Sequence, residues 1–197
     1  MRWDNLFDDL ESQLEQELDA EDIDLLAEEE RLRLGRLGLR DRLRALMPAS
    51  SASTPLRLVL SDGSRISLAL GAVGRDWIAG ELAGDGTLRA SCVIPIAALT
   101  GCLPTSEQMV ASVGGGLEPG VGSLAARLGL PFVLRDLCRR RAALNIRTMH
   151  DLLHGTIDRV GRDHVDLAEH EPGVARRERA VRAIRLVPLA ELVLVRF

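Results

Sequence analysis

The sequence contains no lysine and no tyrosine, and aromatic residues make up only 3 % of its 197 residues. A core must therefore be built from Leu, Val, Ile and Ala, and a hydrophobic content of 46 % is sufficient for one. All 25 basic residues are arginines, which a GC-rich genome would favour as readily as phosphate binding would. The three cysteines, Cys92, Cys102 and Cys138, have no paired spacing and give no indication of a disulfide framework or zinc knuckle.

No apolar run is long enough to span a membrane, and the start of the chain turns acidic at once, without the apolar stretch of a secretory signal. We therefore expect a cytoplasmic protein without a membrane partner.

Charge is distributed unevenly along the chain. Residues 1–31 contain 13 acidic and 2 basic side chains, a net charge of −11, whereas the remainder contains 16 acidic and 23 basic ones, a net charge of +7. Such asymmetry is typical of a polyanion-binding body or of an acidic interaction tail.

Residues 1–47 are predicted to form an amphipathic helical segment that changes from acidic to basic, with a kink or break near Gly35 and Gly38. One apolar stripe at helical spacing forms a candidate partner-binding surface. Its residues are Trp3, Leu6, Phe7, Leu10 and Leu14. Such a helix can lie in the groove of a protein partner, pair with its own copy in a homodimer, or pack on the rest of its own chain.

The rest of the chain has strand-like and helical stretches in turn. Residues 55–100 contain five short alternating segments separated by turn residues, which predicts a first small β-barrel. Residues 101–122 are rich in Gly, Ser and Pro and are predicted to be a flexible linker rather than a phosphate loop. A helix over 123–141 and a second small barrel over 143–197 follow.

An internal repeat supports this division. The run Val-Gly-Arg-Asp at 73–76 recurs at 160–163, and the closing strand at 93–99 matches residues 186–192. Positions that are apolar in both copies should face the core, because alternate strand residues share a face. The residues expected at outward or rim positions are Arg65, Ser67, Ala69, His154, Thr156 and Asp158. The Asp of each repeated turn, Asp76 and Asp163, should hydrogen-bond its own backbone.

The order of bent strands, the Gly at 155, the turn ending in Asp and the closing Val-Pro strand resemble the Sm-like barrels of Hfq and LSm proteins. Each copy is also similar to the wider class of Src-homology-type small barrels. The whole chain resembles proteins of high-GC Gram-positive bacteria that begin with a similar Arg-Trp-Asp helix and are sometimes labelled transcriptional regulators.

The resemblance implies an α+β fold, with an N-terminal helical segment followed by two small Sm-like β-barrels, the second preceded by its own helix. It implies less about the ligand. Leu68 replaces the strand glycine in the first copy, and the Asn and aromatic residue that hold a base in the Sm family have no evident counterpart.

Arginines concentrate at two places in the second copy and form the candidate nucleic-acid-binding surface. The first group is Arg135, Arg139, Arg140, Arg141 and Arg147, and the second is Arg176, Arg177 and Arg179, followed by Arg182 and Arg185. Two such groups near each other could grip the phosphates of RNA in a salt-dependent manner. Base reading is not expected, because aromatic residues for stacking are almost absent.

We therefore expect a non-enzymatic protein that contacts RNA or a ribonucleoprotein assembly. Two competing interpretations are that the acidic helix folds back on the arginines, or that they are ordinary solvated surface. The alternative function is a protein-interaction scaffold that docks or self-associates through its acidic N-terminal helix.

Catalytic and metal-binding residues show no suggestive arrangement. No Ser-His-Asp, Cys-His or paired-carboxylate spacing occurs, so we expect neither an enzyme nor a cofactor. All four histidines, His150, His154, His164 and His170, lie in one window, but a zinc site needs three or four converging ligands. We expect them at solvent-facing strand positions rather than in a metal site.

Overall fold

The computed structural model describes residues 25–51, 53–83, 90–114, 124–174 and 176–197. The chain divides into two units, Met1–Leu39 and Arg40–Phe197. The apolar stripe from Trp3 to Leu14 lies outside the described residues.

In the first unit, residues 25–35 are helical and their side chains are largely exposed. Ion pairs one turn apart, Glu28 with Arg31 and Glu30 with Arg33, line this helix. The helix ends at residue 35, and the next helix begins at Leu39.

The second unit, with Leu39 as the first residue of its first helix, has two halves, which share one order of strands along the chain. The first half consists of α1 (Leu39–Leu46), β1 (Leu56–Leu60), β2 (Arg65–Val73), β3 (Trp77–Leu82), β4 (Ser91–Pro95), β5 (Leu99–Leu103) and α2 (Ser106–Gly114). The second consists of α3 (Leu130–Arg139), β6 (Ala143–Thr148), β7 (Leu152–Val160), β8 (His164–Glu169), β9 (Ala183–Pro188) and β10 (Leu192–Arg196). None of the described helices combines the length and the apolar character needed to cross a bilayer.

The predicted pair of closed, Sm-like β-barrels is wrong. The strands form one open antiparallel sheet in the order β5-β1-β2-β3-β4-β10-β6-β7-β8-β9. The halves are joined because β4 pairs with β10, which places Val93 opposite Val195. Each half therefore continues into the other instead of closing on itself.

The repeat nevertheless persists within this sheet. Each half has the strand order fifth-first-second-third-fourth, and a 3-10 turn follows the proline that ends each fourth strand. At both repeated turns a ring lies against the glycine: a Cβ on Gly74 would fall 2.2 Å from the Trp77 ring, and one on Gly161 would fall 2.4 Å from the His164 ring. Equivalent residues thus make equivalent contacts in the two halves.

Strand alternation places the core as expected at most positions. Leu56 and Leu58 on β1 and their counterparts Leu144 and Ile146 on β6 are all fully buried. Thr156 is an exception to the expected outward set: it is buried, and a hydrogen bond between its hydroxyl and the ring Nε2 of His170, at 2.9 Å, satisfies this buried polar group.

Helix α3 packs on the second half and also contacts the first. Its buried face consists of Leu130, Leu134 and Leu137, which share a core with Trp77 of β3 and Val93 of β4. The indole of Trp77 donates a hydrogen bond to the carbonyl oxygen of Leu128 at 2.9 Å, just before the helix. Helix α3 therefore has a fixed position relative to both halves of the sheet.

Candidate nucleic-acid interface

The C-terminal end of α3 carries three consecutive arginines, Arg139, Arg140 and Arg141. The helix ends in a Schellman motif, in which the amide of Arg141 donates to the carbonyl of Cys138 and that of Ala142 to the carbonyl of Leu137. Arg141 has φ 53°, the left-handed conformation that glycine usually occupies at this position. The three side chains are all exposed.

Asp136 holds the first two of these arginines. Its Oδ1 accepts a hydrogen bond from Arg139, three residues on, and its Oδ2 lies 2.7 Å from Nε of Arg140. Both arginines lie near the C-terminal end of the helix, where the helix dipole favours positive charge.

Asp158 of β7 holds the third arginine together with one from a distant loop. Its Oδ1 accepts from Nη1 of Arg141 at 3.0 Å and from Nε of Arg176 at 2.8 Å, and its Oδ2 accepts from Nη2 of Arg176 at 2.5 Å. The pair with Arg176 is therefore bidentate. These hydrogen bonds raise the pKa of the Arg176 guanidinium above its ordinary value.

A β-bulge accounts for the position of Asp158. The β7–β8 register shifts between Ile157 and Arg159, so that Asp158 has no partner residue on β8. The carbonyl of Asp158 also accepts a hydrogen bond from the thiol of Cys138, at 3.5 Å. The bulge thus ties the last turn of α3 to β7 and places Asp158 beside the C-terminal end of the helix.

We call Arg139, Arg140, Arg141 and Arg176, with Asp136 and Asp158, the arginine cluster. It contains four positive and two negative side chains, so it has a net charge of +2. A guanidinium has five N–H donors, and the carboxylate contacts occupy only part of them. The two carboxylates therefore orient the arginines without neutralising them.

Arg135 extends the cluster along the helix. It is exposed and lies one turn before Arg139, at the i, i+4 spacing that places side chains on one face. Arg177 and Arg179 follow Arg176 and are exposed as well. All three remain candidates for the same surface.

Arg147 does not belong to this surface. Its Nη1 donates to the hydroxyl of Ser64 at 3.0 Å and lies 3.6 Å from Oδ2 of Asp62, in the β1–β2 turn of the first half. The half-buried side chain links the two halves of the sheet, which the sequence spacing of the arginines did not reveal.

Arg182 and Arg185 also lie apart from the cluster. Arg182 pairs with Glu171, and Arg185 contacts Oε1 of Glu169 at 2.5 Å and Oδ2 of Asp151 at 2.7 Å. The second group of arginines seen in the sequence is therefore divided: Arg176 joins Arg141, and the two later residues lie at and just before β9.

Two of the four histidines, His154 and His170, form a partly buried pair instead of facing solvent, whereas His150 is exposed as expected. The His154 and His170 rings meet edge to face at 5.3 Å, and Nδ1 of His154 donates to Oδ1 of Asn145 at 3.0 Å. Within the described residues, Nε2 of His154 is buried and has no hydrogen-bond partner. Burial and the neighbouring His170 lower the pKa of His154.

Among the described residues, neither a metal-binding group nor the buried Cys92 thiol forms a second candidate site. The described parts of the chain contain no group of three or more His, Cys, Asp or Glu side chains arranged to hold a metal ion. Burial raises the pKa of the Cys92 thiol to about 12, which keeps it protonated at neutral pH.

Comparisons with known proteins give no further guidance. No protein-family model, no curated protein and no solved structure matches the chain. The Sm-like resemblance of the sequence therefore stays a prediction.

Proposed function

We propose that the chain is a non-enzymatic protein that binds RNA through the arginine cluster by contacting phosphates. The observation that supports this proposal is that Asp136 and Asp158, at and beside an exposed helix end, each hold two arginines. Arginine is well suited to this task because its planar donors match phosphate oxygens in a bidentate manner.

The sharing of each carboxylate by two arginines favours phosphate binding over a purely structural role. Orienting a flexible arginine on binding costs conformational entropy, and the contacts with Asp136 and Asp158 have already supplied part of that order. An incoming phosphate can then use the donors that remain free. A purely stabilising ion pair would need only one arginine for each carboxylate.

The proposed binding does not read bases. Trp77 is buried and its indole is engaged with Leu128, which leaves Phe132 as the one exposed aromatic ring on α3 and no row of rings on which successive bases could stack beside the described arginines. Affinity should therefore come almost entirely from phosphates and should depend weakly on sequence.

The test is fluorescence anisotropy with a labelled single-stranded RNA of mixed sequence, from about 50 to about 200 mM salt. The Arg139→Ala/Arg140→Ala variant should bind more weakly than the wild type. The slope of log affinity against log salt should become shallower by about 1.4, because each phosphate that an arginine no longer neutralises reduces it by about 0.7.

A matched control uses Arg57→Ala/Arg65→Ala, which removes two exposed arginines from β1 and β2 of the first half. This variant has the same change in net charge, so a general charge effect would weaken binding equally in both. Equal loss of affinity in the two variants, or wild-type binding that is absent or insensitive to salt, would reject the proposal.

A further inference from the structure

The junction within the chain joins the fourth strand of one half to the fifth strand of the other. β4 pairs antiparallel with β10, with Val93 opposite Val195 and Cys92 opposite Arg196. At this junction Val93 is only 1 % exposed. The junction is thus a buried, hydrogen-bonded contact between two repeats.

The outer edges of the sheet are formed by the same two kinds of strand. Among the described residues, β9, the fourth strand of the second half, pairs only with β8, and β5, the fifth strand of the first half, pairs only with β1. An unpaired edge presents backbone N–H and C=O groups that can pair with another strand.

The edge strand β9 exposes apolar residues where its counterpart is buried. The repeat aligns Leu186 with Val93, and Leu186 is 66 % exposed. Ile184, two residues earlier and on the same face, is 57 % exposed. At the other edge, Leu103 ends β5 and is 41 % exposed. Large apolar side chains at both free edges indicate surfaces that become covered in an assembly.

We propose that a second copy of the chain pairs its β5 with β9, in the register of the β4–β10 junction. Leu99 and Leu192 occupy the same position after their 3-10 turns, so Cys102 corresponds to Val195 and Leu103 to Arg196. Cys102 of one copy then lies opposite Leu186 of the next, and Leu103 lies opposite Arg185.

The chemistry of the opposed pairs agrees with this register. In the internal junction, apolar Val93 lies opposite apolar Val195, and the uncharged Cys92 lies opposite Arg196. In the proposed contact, Cys102 again lies opposite an apolar residue, Leu186, and the uncharged Leu103 lies opposite Arg185. No pair brings like charges together, which would destabilise the contact.

The contact is heterologous, since the two edges differ. Each copy that joins presents a new free β9 or β5, so assembly continues head to tail until it closes into a ring or forms a fibre. This inference concerns self-assembly and does not depend on RNA binding.

The first experiment measures the mass of the full-length chain in solution over a range of concentrations. Wild-type protein should form assemblies of more than two chains. Leu103→Lys places a cation opposite Arg185 of the next copy. Leu186→Lys places a cation at the position that a buried valine, Val93, occupies in the internal junction. Each change should prevent the β5–β9 contact, so each variant should be a monomer. Both residues are exposed in the single chain, and circular dichroism should show that both variants are folded.

Mixing the two variants is the decisive step. Leu103→Lys keeps an intact β9 and Leu186→Lys keeps an intact β5, so the mixture should form a one-to-one dimer that cannot grow. Phe132→Lys, at an exposed apolar position on α3, is the matched control and should assemble like the wild type.

A disulfide tests the register directly. Leu186→Cys should cross-link to Cys102 of the next copy on mild oxidation, because opposed residues in antiparallel strands have a Cα separation that suits a disulfide. The cross-link should disappear in Leu186→Cys/Cys102→Ser, and Phe132→Cys should give none.

Three results would overturn the proposal. The wild-type chain could be a monomer at every concentration, or Leu186→Lys could leave its mass unchanged. The third is a Leu103→Lys variant that still forms dimers without the other variant. Such dimers would not use β5 and would indicate that β9 pairs with β9 instead.

Discussion

The carboxylate of Asp76 accepts a hydrogen bond from the backbone amide of Leu130 at 2.7 Å. Asp76 belongs to the β2–β3 turn of the first half, and Leu130 is the first residue of α3 in the second half. The residue before the helix, Gly129, has no side chain to cap it. Asp76 therefore supplies the missing cap from elsewhere in the chain, and does not hydrogen-bond its own turn as the sequence predicted.

This contact predicts different roles for the two repeated aspartates. Asp76→Ala should lower the free energy of unfolding by about 1 kcal/mol, the typical value of a helix cap. Asp163→Ala removes the counterpart, which is exposed and hydrogen-bonds the neighbouring His164 and its own backbone, as predicted, and should change stability by less than about 0.5 kcal/mol. Chemical denaturation of both variants measures the difference. Equal effects would contradict the capping role.

The repeat and the strand alternation were sufficient to predict the strands and most of the core. They could not predict how the two halves join, because pairing of β4 with β10 depends on contacts between residues far apart in sequence, such as Val93 and Val195. A closed barrel and an open sheet use the same alternation within each strand. The distinction lies in the partner of the edge strand, which no local pattern specifies.

A local signal was missed in the stretch predicted as a linker. The side chains of Thr105 and Gln108 each accept a hydrogen bond from the other's backbone amide, which is a capping box at the start of α2. Gln108 is buried and also donates to the carbonyl of Thr54 at 3.0 Å. The Thr-x-x-Gln spacing was readable in the sequence, whereas the Gly- and Ser-rich composition favoured a linker.

The candidate site was only partly predictable. Three adjacent arginines at a helix end could be found from the sequence. The contact of one of them, Arg141, with the same carboxylate as Arg176 depends on Asp158, whose position results from the bulge in β7. Arg147 has a similar sequence context but a structural role, and nothing in the spacing distinguishes it.

Stability should fall as the pH is lowered below about 6.5, the ordinary pKa of histidine. The folded-state pKa of His154 is lowered, so at a pH just below its ordinary pKa the unfolded chain binds a proton at this histidine more readily than the folded chain does. Stability is then fully present above the unfolded pKa and is lost progressively as the pH falls toward the folded pKa. The physical cause is burial, and in the described structure no acceptor is available to a proton on Nε2.

Thermal unfolding at pH 7.5 and pH 5.5 measures this effect. The loss of stability should be smaller in His154→Gln, and His150→Gln, which changes an exposed histidine, should behave like the wild type. The described carboxylates with lowered pKa, Glu30, Asp62 and Asp163, contribute only near and below their ordinary pKa values of 4.5 and 3.8 and do not interfere. Identical pH dependence in the wild type and His154→Gln would contradict the assignment.

Removing the charge of Asp136 should change RNA affinity in the direction opposite to removing an arginine of the cluster. Asp136→Asn keeps the size of the side chain and an Oδ1 that can still accept a hydrogen bond from Arg139, so part of the order remains, and it raises the net charge of the cluster by one. RNA affinity at low salt should increase about fivefold, since a unit charge at about 4 Å in water contributes about 1 kcal/mol. Anisotropy titration measures it, with Asp163→Asn as a control that makes the same charge change elsewhere. Unchanged or weaker binding would show that Asp136 orients the arginines more than it competes with phosphate.

Arg141 connects binding to stability, because it has a backbone conformation that favours glycine. Arg141→Ala and Arg141→Gly both remove its ion pair with Asp158 and should weaken RNA binding to the same extent. Their stabilities should differ: the glycine variant should be more stable than the alanine variant by about 1 kcal/mol, since only alanine retains the left-handed strain. Denaturation and anisotropy on the same samples separate the two effects. If the glycine variant bound RNA as tightly as the wild type, the arginine at this helix end would have no part in the interface, and its strained conformation would have no functional explanation.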